Sequence, residues 1–450
     1  MSDPACGRLS LSTKLGYGVG DMGANLVFQT VLIFLLFYLT DVFGLAAPLA
    51  GAIFFIAKLW DGITDPVMGY ISDRTRTRWG SKRPYLLFGA APLGLSFFLL
   101  FASPPLDGFW KGAYALLFFL MVCTFYTVVN IPYGALTAAL TMDAHERSSL
   151  TGYRMFFAIF GTLVVAGATL PLVRVFESPV TGFRVTAGLF GIGAMVLTWV
   201  TFFTVKEPAC PTVQESYNLS DIFKVIRHNP PFIVLSVGMI LHLAAVGILA
   251  SMVNFFFKYN MGQESFASVA LLCIFASAAL ALPLWVWVAR VFSKRATFNL
   301  GMGLLAVTLI SLYFINKPIP ALLIPVFILA GIGISTIYFS PMAMIPDTVE
   351  YSEWKIGLRR EGVLYGVFYF GQKLAAALAG FISGQGLGLF GFQANQVQNA
   401  QVLFGIRFLM TGVPVILIVI GIIVICFYPI DQKLHDRMLR EINGAQAIPQ

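Results

Sequence analysis

The 450-residue sequence predicts an all-α membrane protein of twelve transmembrane helices arranged as two six-helix bundles. Composition is the first reason: 58% of residues are hydrophobic and only 11% charged, against about 25% charged in a soluble domain. The second is recurrence. Apolar runs long enough to span a bilayer fall at 16–40, 46–71, 84–103, 112–141, 151–172, 183–204, 231–256, 265–290, 297–315, 320–342, 362–390 and 403–428. The third is a polar stretch, KEPACPTVQESYNLSDIFKVIRHNP, that follows the sixth run. It divides the chain into halves at 1–204 and 231–430, joined by a loop at 205–230 and ending in a tail at 431–450.

Loop charge orients the spans. Arg8, Lys14, the cluster from Arg74 to Arg83, Arg147, Lys206, Lys224, Arg290, Lys294, Lys355, Arg359, Arg360, Lys433 and Arg437 share one side, whereas the opposite side carries few cations, among them Lys111, Arg174 and Lys258. The basic side is the cytoplasmic one, so both termini are expected there. This distribution accounts for the formal net charge of +8 without a nucleic-acid partner. The five cysteines are isolated and suggest neither a disulfide framework nor a metal box. The polar N-terminus lacks the pattern of a cleaved signal peptide. No nucleotide loop or nucleophile constellation appears, so neither an enzyme nor a bound cofactor is expected.

With charges so scarce, each ionisable residue within a span is a functional candidate, because burying it costs roughly 2.5–3.5 kcal/mol on insertion scales. In the first span Asp21 and Asn25 lie four residues apart, on one helix face. The second span carries Asp61 and Asp65 with the same spacing. These carboxylates suit a cation such as Na⁺, with hydroxyls from Thr64 and Thr127, or a transported proton on one of them. Pairing with Lys58 or Arg154 in a structural ion network is the alternative. The loop that follows holds Asp73 and Arg74. In the fourth span Tyr126, Thr127 and Asn130 precede Pro132, which loosens the helix beside an amide able both to donate and to accept. Arg154 and Lys373, in the fifth and eleventh spans, are expected to meet an anionic or polar ligand in a central cavity. Asp347, Glu350 and Glu353, three residues apart between the tenth and eleventh spans, are candidates to pair with Arg147 or the Arg74 loop as a cytoplasmic gate. His242, Trp285 and Trp287 read as packing or interface residues, and IDQKLHDRMLREIN as an amphipathic helix at the membrane surface.

These segments resemble the glycoside-pentoside-hexuronide:cation symporters, the melibiose-carrier branch of the major facilitator superfamily. The resemblance runs through YGVGDMGANL, YLTDVFGL, KLWDGITDPVMG, RTRTRWGSKRP, NIPYGAL, GYRMFF, PDTVEYSEWKIGLRREG and the lysine of GQKL. It implies symport of a sugar or glycoside with Na⁺ or H⁺, a cation site at Asp61, Thr64, Asp65 and Thr127, and a sugar site at Asn25, Asn130, Arg154 and Lys373 with Tyr126 and Gln372 beside them. The melibiose carrier has aspartates where this chain has Asn25 and Asn130, and a tryptophan where it has Gly134. The wording around NIPYG is nearer the glucuronide and xyloside branches. With those carboxylates replaced by amides, Asp21 is left as the main expected counter-charge to Arg154 and Lys373, and an acidic sugar such as a uronide would restore the balance. The expected protein is a monomeric, multi-pass symporter of the bacterial inner (plasma) membrane. A lysolipid transporter of the same fold and a non-transporting sensor are the rivals.

Overall fold

A computed structural model describes residues 9–141, 143–207, 224–358 and 360–446. Arg8, Arg359 and most of the 205–230 loop fall outside them. Twelve long helices are present among the described residues. In the first half they are α1 (Leu11–Phe37), α2 (Ala47–Arg74), α3 (Arg83–Leu100), α4 (Gly108–Leu140), α5 (Ala144–Arg174) and α6 (Pro179–Thr204). In the second they are α7 (Pro230–Phe255), α8 (Phe266–Val291), α9 (Lys294–Phe314), α10 (Pro320–Ile356), α11 (Glu361–Leu389) and α12 (Ala400–Cys426). A shorter α13 (Gln432–Gln446) follows. Single π-helical turns extend α1 over Tyr38–Val42 and α7 over Phe256–Asn260, and interrupt α12 at Phe408–Gly412.

Among the described residues, 11 helices are both long and apolar enough to cross a membrane. The twelfth, α11, has the length at 29 residues. Its polarity comes from Gln372, Lys373, Gln385 and repeated glycines, and it packs on both α2 and α7. A helix shielded by its neighbours tolerates polar side chains that a lipid-facing one does not.

Within the first half α1 packs on α5 and α6, α3 on α4 and α6, and α2 on α4; within the second α7 packs on α11 and α12, and α10 on α8 and α9. The halves meet along α2 with α11, α5 with α8 and α1 with α7. Glycine makes the α2–α11 approach close. A Cβ on Gly51 would stand 2.9 Å from Gly384 Cα and 3.1 Å from the Gly380 carbonyl oxygen, so only hydrogen fits. Gln385 Nε2 donates to the Pro48 carbonyl at 2.9 Å, and Asn254 Nδ2 to the Ile33 carbonyl at 2.9 Å, both across the halves. These contacts lie toward the end of the bundle remote from the chain termini, the far end. Toward the near end nothing comes within 4 Å of where a Cβ would sit on Gly134, Gly152 or Gly366. These three positions border open space.

Two expectations need correction. The acidic stretch Asp347, Glu350 and Glu353 does not form a separate segment between two spans, because α10 continues unbroken through Pro341 and Pro346 to Ile356. Its left-handed C-cap, Gly357 at φ 65°, ends it. The C-terminal helix α13 also does more than rest on a surface: Met438 is fully buried, and Trp354 Nε1 on α10 donates to Glu441 Oε2 at 2.6 Å. Arg437, and after it Trp354, hold the exposed Glu441 carboxyl below its usual range. His242 is fully buried and bonds the Gly238 carbonyl, and Trp285 is buried while Trp287 is exposed, so packing and surface roles divide between the tryptophans.

The Gly51–Gly384 contact yields a prediction. Gly384→Val should cost about 1–3 kcal/mol by overpacking, read as a lowered melting temperature of the detergent-solubilised protein. An unchanged melting temperature would show that the two helices can separate freely at that point.

Candidate functional site

The site begins with the local conformation of α2. Pro66 stands inside the helix immediately after Asp65, and its missing N–H leaves the Gly62 carbonyl without an intrahelical donor. The four-residue spacing turns Asp61 and Asp65 to one face, toward α4 and α11. Thr127 of α4 lies between them, with its hydroxyl 3.0 Å from Asp61 Oδ1 and 2.8 Å from Asp65 Oδ1. It has a single proton, so it donates to one carboxylate at a time. Thr64 Oγ1 is 3.2 Å from the Asp61 carbonyl and 3.5 Å from Thr127 Oγ1. The four residues expected to hold a cation are thus gathered into one cluster of oxygens.

Lys373 enters the same cluster from the other half. Its Nζ is 2.5 Å from Asp65 Oδ2, 3.1 Å from Asp61 Oδ1 and 3.1 Å from the Asp61 carbonyl. Lys58 approaches from below on α2, 3.4 Å from Asp61 Oδ2, with its ammonium 5.2 Å from the Phe28 ring and 5.8 Å from Phe119. The Asp61 side chain is only 1% exposed, so its charge is unaffordable without these partners. Lys58, Lys373, Asp61 and Asp65 sum to zero charge. The alternative of an ion network with Lys58 is therefore present, yet it coincides with the oxygen cluster rather than replacing it.

Arg154 is held elsewhere. Its Nε donates to Asp21 Oδ2 at 2.6 Å and Nη1 to Thr137 Oγ1 at 3.2 Å, while its guanidinium lies 4.9 Å from the Tyr133 ring. Tyr17 and Tyr133 brace this cage by each donating to the other's backbone carbonyl, at 2.7 and 2.6 Å. Arg154 and Lys373 each pair with carboxylates of their own, Asp21 for Arg154 and Asp61 with Asp65 for Lys373. The expectation that Asp21 is the main counter-charge to both cations is corrected, since Asp61 and Asp65 serve as counter-charges for Lys373. Sequence spacing cannot show which helix a long side chain will reach.

Asn25 Nδ2 donates to the Asp21 carbonyl at 2.9 Å, and its Oδ1 accepts from Gln29 Nε2 at 3.3 Å. Gln29 is an addition that the same four-residue spacing would have found. Its Oε1 is buried with no hydrogen-bond partner. Tyr126 stacks on Phe28 with centroids 5.9 Å apart. Asn130 is half-buried one turn further along α4, and Gln372 is half-buried beside Lys373. The space beside Gly134, where the melibiose carrier has a large ring, is open.

The gate residues divide. Asp347 accepts from Lys294 Nζ at 2.7 and 2.9 Å, and Glu350 is 2.8 Å from His435 Nε2 of α13. Asp73 pairs with Lys82, and the Arg74 guanidinium covers the Tyr70 ring at 4.0 Å. Arg147 Nε donates to the Thr141 carbonyl at 2.8 Å. Asp347 and Glu350 therefore have partners within their own half, where the sequence suggested Arg147 or the Arg74 loop. Glu353 lies on the same last turns of α10.

Comparison with known proteins is consistent across the chain. The family described as MFS/sugar transport protein matches residues 16–432. The uncharacterized symporter YnaJ of Bacillus subtilis is 34% identical over 98% of this chain and 96% of its own length. The isoprimeverose transporter of Lactiplantibacillus pentosus is 30% identical over 97% of this chain and 92% of its own. Among solved structures, a bacterial homolog to the human lysosomal transporter Spinster, inward-facing and unoccupied, superimposes with a TM-score of 0.70 at 12% identity, covering 96% of this chain and 97% of that one. At that identity the likeness is one of fold.

The Asp21–Arg154 pair makes a prediction of its own. Asp21→Asn leaves a mostly buried guanidinium unpaired and should cost about 3–5 kcal/mol, visible as loss of monodisperse protein after detergent extraction. Asp21→Asn combined with Arg154→Gln should recover most of that loss. Equal damage in the single and double variants would mean that the two residues act independently.

Proposed function

The chain belongs to the MFS/sugar transport protein family, and from that premise we propose that it couples the movement of a cation, Na⁺ or H⁺, to uptake of a sugar or glycoside. Membership makes it a multi-pass membrane transporter rather than an enzyme. One observation carries the coupling proposal: a lysine from one half sits on the paired carboxylates of the other.

A cation entering between Asp61 and Asp65 competes with the Lys373 ammonium for the same oxygens. Na⁺ finds carboxylate, hydroxyl and carbonyl oxygens from Asp61, Asp65, Thr127 and Thr64; a proton on Asp65 removes half of the attraction instead. Either event releases Lys373 into the cavity beside Gln372, Asn130 and Tyr126, where its donors meet sugar oxygens. Linkage makes the effect mutual, because a sugar that engages Lys373 leaves the carboxylates short of a cation and raises their affinity for one.

The same exchange bears on substrate charge. In the cation-free arrangement the cluster is neutral; after Na⁺ binds or Asp65 is protonated it carries one positive charge. An acidic sugar such as a uronide is therefore matched to the loaded form, while neutral glycosides bind through the amides of Asn25, Asn130 and Gln372. Asp21 and Arg154 frame this cavity as a fixed pair. We place both termini on the cytoplasmic side of a bacterial inner membrane, so that the near end faces inward, with the monomer as the working unit. The halves at 1–204 and 231–430 rock about the site, and Asp347, Glu350 and Glu353 exchange their present partners for Arg147, Arg74 and Asp73's loop when the near end closes.

Uptake into proteoliposomes tests the reading, with methyl glucuronide and other acidic sugars set against methyl xyloside, isoprimeverose and galactosides, each under an imposed Na⁺ or H⁺ gradient. Accumulation of at least one sugar under one gradient is expected; accumulation of none, with lysolipid moved instead, would overturn the sugar assignment. Asp65→Asn should abolish gradient-driven accumulation while leaving membrane insertion intact, and unchanged uphill uptake would remove the cation site. Lys373→Ala should lower uptake of acidic sugars at least tenfold more than that of neutral ones, roughly the loss of one charge-assisted hydrogen bond. Equal losses would sink the charge-matching argument.

A further inference from the structure

At the far end, three segments distant in sequence converge on one carboxylate. Asp41 lies in the π-helical turn that ends α1, and its side chain is only 1% exposed. Its Oδ1 accepts from Lys258 Nζ at 2.6 Å and from the Tyr259 hydroxyl, both in the corresponding π-helical turn that ends α7. Its Oδ2 accepts from its neighbour Thr40 at 2.8 Å. Asn395, in the connection between α11 and α12, completes the arrangement. Its Nδ2 donates to the Asp41 backbone carbonyl at 2.7 Å, its Oδ1 accepts from Lys258 Nζ at 2.7 Å, and its backbone N–H donates to the Tyr259 oxygen at 2.9 Å. Asn395 does this from a left-handed conformation, φ 58°, which asparagine tolerates better than most residues.

We propose that Asp41, Lys258, Tyr259 and Asn395 form a clasp that holds the far end shut and sets the balance between the two faces of the transport cycle. The inference rests on the transporter reading, in which the halves must separate at this end for substrate to enter from the other side of the membrane. On separation Asp41 keeps Thr40, which is in its own half, and loses Lys258, Tyr259 and Asn395, which are all in the other. A carboxylate that gives up an ammonium and a hydroxyl donor at once, while the backbone carbonyl of the same residue loses an amide donor, makes the opening a discrete event rather than a gradual one. The clasp also explains why α1 and α7 both end in a π turn: the extra residue in each turn brings Asp41 and Lys258 to the same interface instead of leaving them on the helix flank. None of these four residues belongs to the proposed cation or sugar site, so they affect which face is open and not which solute is bound.

The test needs no substrate, and so separates this inference from the assignment of cargo. With the five native cysteines replaced by serine, nitroxide labels are attached at Phe109→Cys and Val397→Cys, exposed far-end positions in opposite halves. Pulsed dipolar spectroscopy in lipid nanodiscs then reads the distance distribution. Asp41→Asn is expected to raise the ratio of long to short distances about tenfold, the effect of removing one charge-assisted bond from a two-state equilibrium. Lys258→Met should do the same from a more exposed position, and serves if the Asp41 variant does not fold. Exchanging the charges, Asp41→Lys with Lys258→Asp, should return the distribution toward the short distance. Unaltered distributions in both single variants would overturn the clasp, and a charge exchange as open as the single variants would overturn the ion pair as its agent.

Discussion

Charge buried where there is no water to solvate it is the constraint on which this structure depends. The interior of the helical bundle holds the carboxylates of Asp21, Asp61 and Asp65 and the cations of Lys58, Arg154 and Lys373, and each is matched within hydrogen-bonding distance or nearly so. A single unmatched member would cost several kcal/mol, comparable to the whole stability of many proteins. Of the two ammonium groups beside Asp61, Lys58 belongs to the same half of the chain and Lys373 to the other.

The two matched sets differ in what can move. Arg154 is enclosed by Asp21, Thr137, Tyr17 and Tyr133, all from the same half of the chain. Lys373 bridges α11 to α2, across the surface on which the halves meet. A change at Arg154 stays within one rigid unit, whereas a change at Lys373 alters the attraction between two units.

The interface is shaped by two kinds of contact with different tolerance for separation. Glycines at 51, 380 and 384 let α2 and α11 approach closely, and dispersion there falls away smoothly as the helices part. The polar contacts at Asn254, Gln385 and Asp41 are directional and break within a fraction of an ångström. Smooth packing along the helices with directional bonds near one end favours a rocking motion over a sliding one. At the near end, Lys294 and His435 occupy Asp347 and Glu350, so those acids are satisfied within their own half.

Much of this was legible in the sequence. The number and approximate limits of the spans, the shared face of Asp61 and Asp65, and the hydroxyl of Thr127 all follow from periodicity and from the scarcity of charge, because a helix repeats every 3.6 residues whatever surrounds it. The same rule would have added Gln29 to Asp21 and Asn25. Tertiary structure alone decided the partners. Lys373 reaches Asp61 across 312 residues of sequence, and Asn395 reaches Asp41 across 354. Such pairs depend on which helices pack side by side and how closely glycine lets them approach, a property of the assembled bundle that no local pattern encodes. For that reason the sequence identified which residues carry charge into the membrane, and only the fold determined which of those charges neutralise one another.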